Sequence, residues 1–393
     1  MEKAIWIGGG RVVLPQGIEE NGSGLLKDGR IAELGGPCPA GAEVVDAAGG
    51  TILPGFIDIH IHGGGGADFM DAEPESAGII ARAHCEHGTT AMVATTMTCA
   101  DERLEQAISC VIASMGQPTG GAEILGLHLE GPFFSAAGKG AQPISEQRIP
   151  TRDVLEKIIR WGQGHILRWD EAPELPNTNI FAQIMQENRI LAAVAHTGAN
   201  AGQAMAAFDA GFSHVTHFYN ATSTFHKENG IVHSGVIEAT YLRDDVTIEL
   251  IGDGRHIPKE SMQLAYRIKG PDRICLITDA MRAAGTDATH SILGGKTDGT
   301  PVVIKDQVAQ LPDFSSYAGS ICTMDRALRV AHMEYGLPLT GVSRMLSLTP
   351  ARLCGCDVRK GSIAPGKDAD LVVMDRDFRV RQVYVKGALC HQA

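Results

Sequence analysis

The amino-acid sequence predicts an α/β protein: a (β/α)8 barrel of the TIM type with a small β-sandwich domain built from both chain ends. Between Ile52 and about Gly355, short apolar runs alternate with longer helical stretches, which is the signature of βα units. Eight such runs can be picked out, the number that closes a barrel. Both ends of the chain instead read as short strands, and 393 residues suit a barrel of about 250 residues plus a smaller domain.

Taken in order, residues 1–52 offer strands at Ala4–Ile7, Arg11–Leu14, Ile31–Leu34 and Glu43–Asp46. Lys27-Asp-Gly-Arg30 is a hairpin turn, because glycine supplies the positive φ that the turn needs. The eight barrel strands are expected at Ile52–Ile59, Thr89–Thr95, Glu123–Leu129, Ile166–Trp169, Ile190–Ala195, His214–Thr216, Val246–Ile251 and Arg273–Thr278. The C-terminal end returns to strands over 366–375 and Val380–Val385. The expected division is therefore a composite β-domain from 1–52 and 356–393, and a barrel over 53–355.

Lys and Arg number 34 against 46 Asp and Glu, a formal charge of −12. That field repels nucleic acid and anionic membranes, so an anionic substrate has to be caught by a few local cations or N–H donors. Nine cysteines lack a paired framework spacing, which fits a reducing, cytoplasmic setting. Cys354-Gly-Cys356 has no second pair at zinc-finger spacing and reads as buried or incidental thiols. The N-terminal apolar run is too short for a signal segment and is expected to be the first strand of the folded protein.

Barrel enzymes carry their chemistry at the C-terminal ends of strands. Here the first run ends in His60 and His62, which at period two point the same way. The third ends in Glu130, the fifth in His196, the sixth in His217 and the eighth in Asp279. Four imidazoles and two carboxylates without a thiolate suit one or two divalent ions, zinc or iron, with Glu130 able to bridge. His128, one repeat deeper than Glu130, is expected to support the ligands rather than join them. His84 and His87 precede strand two, at the wrong end of the barrel, and read as helix-surface and C-terminal polarity.

These motifs resemble a known family. Leu-Pro-Gly-Phe-Ile-Asp-Ile-His-Ile-His-Gly at 53–63 is similar to the opening strand of the amidohydrolase superfamily. His-Leu-Glu-Gly-Pro-Phe at 128–133 resembles its N-acetylglucosamine-6-phosphate deacetylase branch. The likeness continues through Val-Thr-His-Phe-Tyr-Asn-Ala at 215–221, Gly-Asp-Gly-Arg-His-Ile-Pro at 252–258 and Ile-Thr-Asp-Ala-Met-Arg-Ala-Ala-Gly at 277–285. Ala-Gly-Ser at 318–320 and Gly-Ser-Ile-Ala-Pro-Gly-Lys-Asp-Ala-Asp-Leu at 361–371 extend it.

The resemblance implies that Glu130, His196 and His217 hold the main ion and that His60 and His62 allow a second. It makes Asp279 the catalytic aspartate and His256 the contact to the substrate carbonyl. It places Ala141, Gln142, Asn220 and Ala221 along the sugar, with Tyr317, Ala318 and Gly319 nearby. It implies a homodimer acting on a small amino sugar phosphate. One departure stands out: where the family carries an arginine that reaches the phosphate, this chain has Phe-His226-Lys227-Glu, so Lys227 is the available cation. The alternative substrate is another N-acylated amine, such as the galacto epimer or an unphosphorylated sugar.

Overall fold

The computed structural model describes residues 4–393. Eight parallel strands form one sheet in sequential order: β1 (Phe56–Ile61), β2 (Thr89–Thr96), β3 (Glu123–Phe133), β4 (Ile166–Glu171), β5 (Leu191–Val194), β6 (His214–Val215), β7 (Thr247–Ile251) and β8 (Ile274–Ile277). A parallel bridge between Ile61 and Ala280 brings the end of β8 back to β1. Parallel strands covered on both faces need apolar residues at nearly every position, which is why these segments stand out as continuous runs. Burial of β1, β2 and β8 is complete along their lengths.

The helices between strands are amphipathic, as Leu104, Ile108 and Val111 illustrate in Asp101–Ser114. These side chains join Phe56, Met92, Leu127, Trp169, Phe181, Phe208, Val215 and Leu276 in one apolar core. Each large side chain so buried contributes about 1.5–3 kcal/mol before the entropy of ordering it is counted.

The chain ends build a second eight-stranded sheet. Ile5–Leu14, Gly17–Lys27, Arg30–Leu34, Glu43–Asp46 and Thr51–Pro54 come from one end, and Leu371–Met374, Val380–Val385 and Ala388–Gln392 from the other. They join where Thr51–Pro54 runs antiparallel to Leu371–Met374. Ile7, Val12, Leu26, Ile31, Ile52, Leu371, Val373 and Tyr384 fill a core of their own. Asp28 and Gly29 both have positive φ (52° and 75°), the conformation of a tight hairpin turn.

Three expectations change. The run Ile52–Ile59 is two strands: Thr51–Pro54 belongs to the outer sheet and Phe56–Ile61 to the barrel. The break falls at Gly55, where a Cβ would lie 2.1 Å from Thr90 Oγ1, so only glycine passes between the layers. Ala4–Ile7 and Arg11–Leu14 fuse into one strand whose register shifts around Gly10. Several antiparallel elements have no counterpart in the sequence reading, among them a sheet of His290–Leu293, Thr300–Lys305, Val308–Gln310 and Tyr317–Ser320, and a hairpin of His226–Glu228 with Ile231–His233.

A buried ion cluster ties the two layers together at the N-terminal end of β3. Lys360 Nζ lies 2.8 Å from Glu123 Oε2 and 2.5 Å from Asp370 Oδ2, while Arg359 donates to Glu123 and Asp368. Burial opposes ionisation of Glu123, but Arg359 and Lys360 hold its pKa down to about 2. Replacing Lys360 with Met strips the buried Asp370 of the lysine paired with it and leaves Glu123 and Asp368 to Arg359, and urea denaturation is expected to show a loss of about 3–5 kcal/mol. Because the folded pKa of Glu123 is depressed, its contribution is present above about pH 4.5 and fades as pH falls towards 2. Melting curves of Glu123→Gln across that window should fall less steeply than those of the wild type.

Candidate active site

Six donors meet at the C-terminal mouth of the barrel. His60 lies in β1 and His62 just beyond it, Glu130 lies in β3, and His196, His217 and Asp279 each sit two residues past the ends of β5, β6 and β8. These last three have positive φ (45°, 29° and 49°), a sparsely populated backbone region for residues with a side chain. The left-handed turn lets each strand end abruptly and swing its side chain into the mouth. The donor atoms form two compact groups, His60 with His62 and Asp279, and Glu130 with His196 and His217.

Hydrogen bonds orient the rings. His196 Nδ1 donates to the Gly138 carbonyl at 2.9 Å and His217 Nδ1 to the Asn220 carbonyl at 3.1 Å. In the neutral rings both Nε2 atoms are then lone-pair carriers, yet they lie 3.0 Å apart and each is 3.1 Å from Glu130 Oε1. His60 Nδ1 faces Glu249 Oε2 at 3.0 Å, and its Nε2, with no hydrogen-bond partner among the described residues, lies 3.5 Å from both Glu130 and Asp279. His62 Nε2 stands 3.3 Å from Asp279 and 3.4 Å from Glu130. Acceptors crowded so closely in a buried site repel unless a cation lies between them, so the residues fit a divalent metal.

The charges point the same way. Burial disfavours a charged His62, but Asp279 and Glu130 overcome this and raise its pKa to about 9; His217, facing Glu130, also rises to about 9. Burial likewise opposes ionisation of Glu130 and Asp279, and the surrounding imidazoles lower both. Below the mouth, burial and Arg168 push His128 down to about 3, leaving it neutral. Its Nε2 lies 2.9 Å from Asp170, and its Nδ1 accepts from Arg168 at 2.7 Å.

The cavity in front of the donors has a volume of about 250 Å³. His62, Glu130, His196, His217 and Asp279 line it, together with Ala141, Gln142, Asn220, Ala221, His256, Tyr317 and Gly319. Gln142 donates to Glu130 Oε2 at 2.7 Å and accepts from the Thr98 amide, bracing the carboxylate. His256 is held by Asp253, whose Oδ2 takes the Nδ1 proton at 2.7 Å, and its ring packs edge-on to Tyr317. Asn220 Nδ2 is a buried donor without a partner among the described residues.

Other expected residues sit elsewhere. Ala318 is fully buried in the apolar cluster behind the cavity wall. Lys227 is exposed on the His226–Glu228 hairpin and does not line this chain's cavity. His84 corrects the surface reading: it is buried, with Nε2 3.0 Å from the Gly63 carbonyl, and burial lowers its pKa to about 4. The glycine run after His62 lets the chain fold down onto the helix; a Cβ on Gly64 would lie 2.4 Å from His84. The sequence reading missed the residues around the donors: Met97, Leu293 and Ser316 in the wall, and Arg168, Asp170 and Glu249 underneath. Leu293 and Ser316 belong to the antiparallel insertion, whose periodicity gave no clue to its place.

A parallel barrel with a histidine and carboxylate cluster at its mouth and an outer β-sheet defines the class. The chain belongs to the amidohydrolase family, whose sequence model matches residues 51–390. Among named relatives, the chain is 34% identical over 379 residues to an N-acetylglucosamine-6-phosphate deacetylase of Lysinibacillus sphaericus, covering 96% of this chain and 95% of that protein. It is 31% identical over 381 residues to an N-acetylgalactosamine-6-phosphate deacetylase of Escherichia coli O157:H7, covering 96% and 97%. Among solved structures, a mutant N-acetyl-D-glucosamine-6-phosphate deacetylase of Mycobacterium smegmatis, in complex with N-acetyl-D-glucosamine-6-phosphate, superposes with a TM-score of 0.90 at 28% identity and covers 99% of both chains.

Protons on His62 and His217 compete with a cation for the same lone pairs. Raised pKa values near 9 mean that both rings are protonated at neutral pH in metal-free protein and must release those protons on binding. Zinc affinity measured by chelator competition should therefore climb with pH and level off above about 9. His217→Ala is expected to abolish the ion held with Glu130 and His196, read as metal content per chain.

Proposed function

We propose that this protein hydrolyses the N-acetyl group of N-acetylglucosamine-6-phosphate, releasing acetate and glucosamine-6-phosphate. The observation that carries this reading is the convergence of Asp279, His256 and two metal-competent donor groups on one cavity, in a chain similar along nearly its whole length to enzymes of that name.

Glu130, His196 and His217 would hold one ion, and His60, His62 and Asp279 a second; nitrogen and carboxylate donors without thiolate suit zinc or iron. Such an ion supplies Lewis acidity towards the acyl oxygen and brings the pKa of water towards neutrality. Asp279, ionised and facing the cavity, accepts the proton of the attacking water and returns it to the amide nitrogen, so that an amine rather than an amide anion departs. His256, with Nδ1–H committed to Asp253, steadies the charge that gathers on the acyl oxygen by donating from a protonated Nε2. Asn220 offers its unpaired amide to a sugar hydroxyl.

Recognition of the phosphate is assigned to Lys227. Its hairpin presents exposed Phe225, Ile231 and Val232, which supports a homodimer in which the lysine reaches a neighbouring subunit's cavity. Nine free cysteines support a reducing cytoplasm. Among the described residues no helix is long and apolar enough to cross a membrane.

The test is acetate release from the phosphorylated gluco and galacto sugars and from unphosphorylated N-acetylglucosamine. The gluco phosphate should be preferred. Asp279→Asn should cut kcat by about 10²–10⁴-fold, and His256→Asn by about 10²–10³-fold. Lys227→Ala should raise KM for the phosphorylated sugar alone. The galacto reading, favoured by the Escherichia coli relative, wins if that epimer is turned over faster. No release from any of them by metal-loaded enzyme refutes the deacetylase reading.

A further inference from the structure

Glu249 lies in the middle of β7, inside an apolar run, and its side chain is fully buried. It does not line the substrate cavity. Its two oxygens face different partners. Oε1 takes an ion-pair hydrogen bond from Arg168 Nη1 and lies 3.4 Å from His214 Nε2. Oε2 lies 3.0 Å from His60 Nδ1 and accepts the backbone N–H of His217 at 3.1 Å. Arg168 is in turn held by His128, which rests on Asp170 and stands edge-on to the His60 ring with centroids 4.7 Å apart. His60 is thus fastened from below by Glu249 and His128, while its Nε2 has no hydrogen-bond partner among the described residues.

We propose that Glu249, clamped by Arg168, is a positioning residue that keeps the proton of His60 on Nδ1 and so sets the ion position formed by His60, His62 and Asp279. The proposal rests on reading the mouth cluster as a metal centre. An imidazole can present a lone pair at Nε2 only if Nδ1 carries the proton, and an acceptor at Nδ1 selects that tautomer. Arg168 makes the choice directional, because its guanidinium demands an acceptor at Oε1. In Glu249→Gln the amide oxygen must therefore face Arg168, and the NH2 group faces His60. The NH2 forces His60 to accept at Nδ1, which moves the ring proton to Nε2, where it points into the mouth. The His217 N–H loses its acceptor in the same exchange, but His217 Nδ1 keeps its bond to the Asn220 carbonyl, and Glu130 and His196 are untouched.

The experiment is a zinc titration of the full-length metal-free protein against a chromophoric chelator, with metal content per chain measured in parallel. Wild type should take two ions. Glu249→Gln should keep the first and bind the second about 10–100-fold more weakly. His60→Ala should lose the second ion, and Glu249→Gln added to His60→Ala should weaken zinc binding no further. Equal weakening of both ions, or two ions bound as tightly as in wild type, overturns the proposal. Failure of wild type to bind any ion overturns the metal reading instead.

Should Glu249→Gln not fold, ¹⁵N-histidine spectra of wild-type protein decide the matter, with the His60 signal assigned by its loss in His60→Ala. A proton on Nδ1 supports the proposal, and one on Nε2 refutes it.

Discussion

At the mouth of the barrel, lone pairs face lone pairs. The Nε2 atoms of His196 and His217 sit 3.0 Å apart beside a carboxylate oxygen because backbone carbonyls have already claimed the Nδ1 protons. Such an arrangement is unfavourable in a desolvated site, where charges and dipoles interact far more strongly than in water. It persists because each ring hangs from a strand end that cannot relax. A cation is the natural counterpart of this arrangement, and protons on His62 and His217 take that part in its absence.

The cost of holding the arrangement is distributed through the layers below. Left-handed backbone at His196, His217 and Asp279 is unfavourable for each residue, and the closed sheet over-determines it. Under the donors, one guanidinium, Arg168, is shared between Glu249, His128 and Asp170. Glu249 and Asp170 are paired with that guanidinium, whereas the buried Glu130 and Asp279 above them have only imidazoles beside them. The excess of negative charge is directed upward, towards the cavity. At the opposite end of β3 the polarity is arranged differently: Arg359 and Lys360 neutralise Glu123, Asp368 and Asp370, and join the barrel to the outer sheet.

Much of this was legible along the chain because parallel strands buried on both faces write themselves as apolar runs. All eight expected barrel strands occur, although the first gives up its opening residues to the outer sheet; the other boundaries differ by a few residues, most of all in β3, where the strand continues past the run. The ligand-type residues were visible because they interrupt those runs at their ends. Glu249 was not, since one carboxylate inside Thr-Ile-Glu-Leu-Ile resembles an outward-facing residue until its partners are known. His84 misled for a related reason: a helix C-terminus usually faces solvent, but here a glycine loop folds back over it. The insertion of residues 290–320 has short strands that pair with each other, so nothing local told that it would wall the cavity.

The sequence by itself determined the barrel, the outer sheet built from both ends and the set of donor residues, because each follows from local periodicity or from a motif of adjacent residues. Only the tertiary structure decided which nitrogen of each histidine faces the cavity, which carboxylate serves which ring, and where Lys227 and His84 stand. Those matters depend on partners that lie far apart in the chain: Glu249 meets His60 across 189 positions, and Glu130 meets His217 across 87. No local signal encodes such a distance; closing the sheet into a barrel sets it.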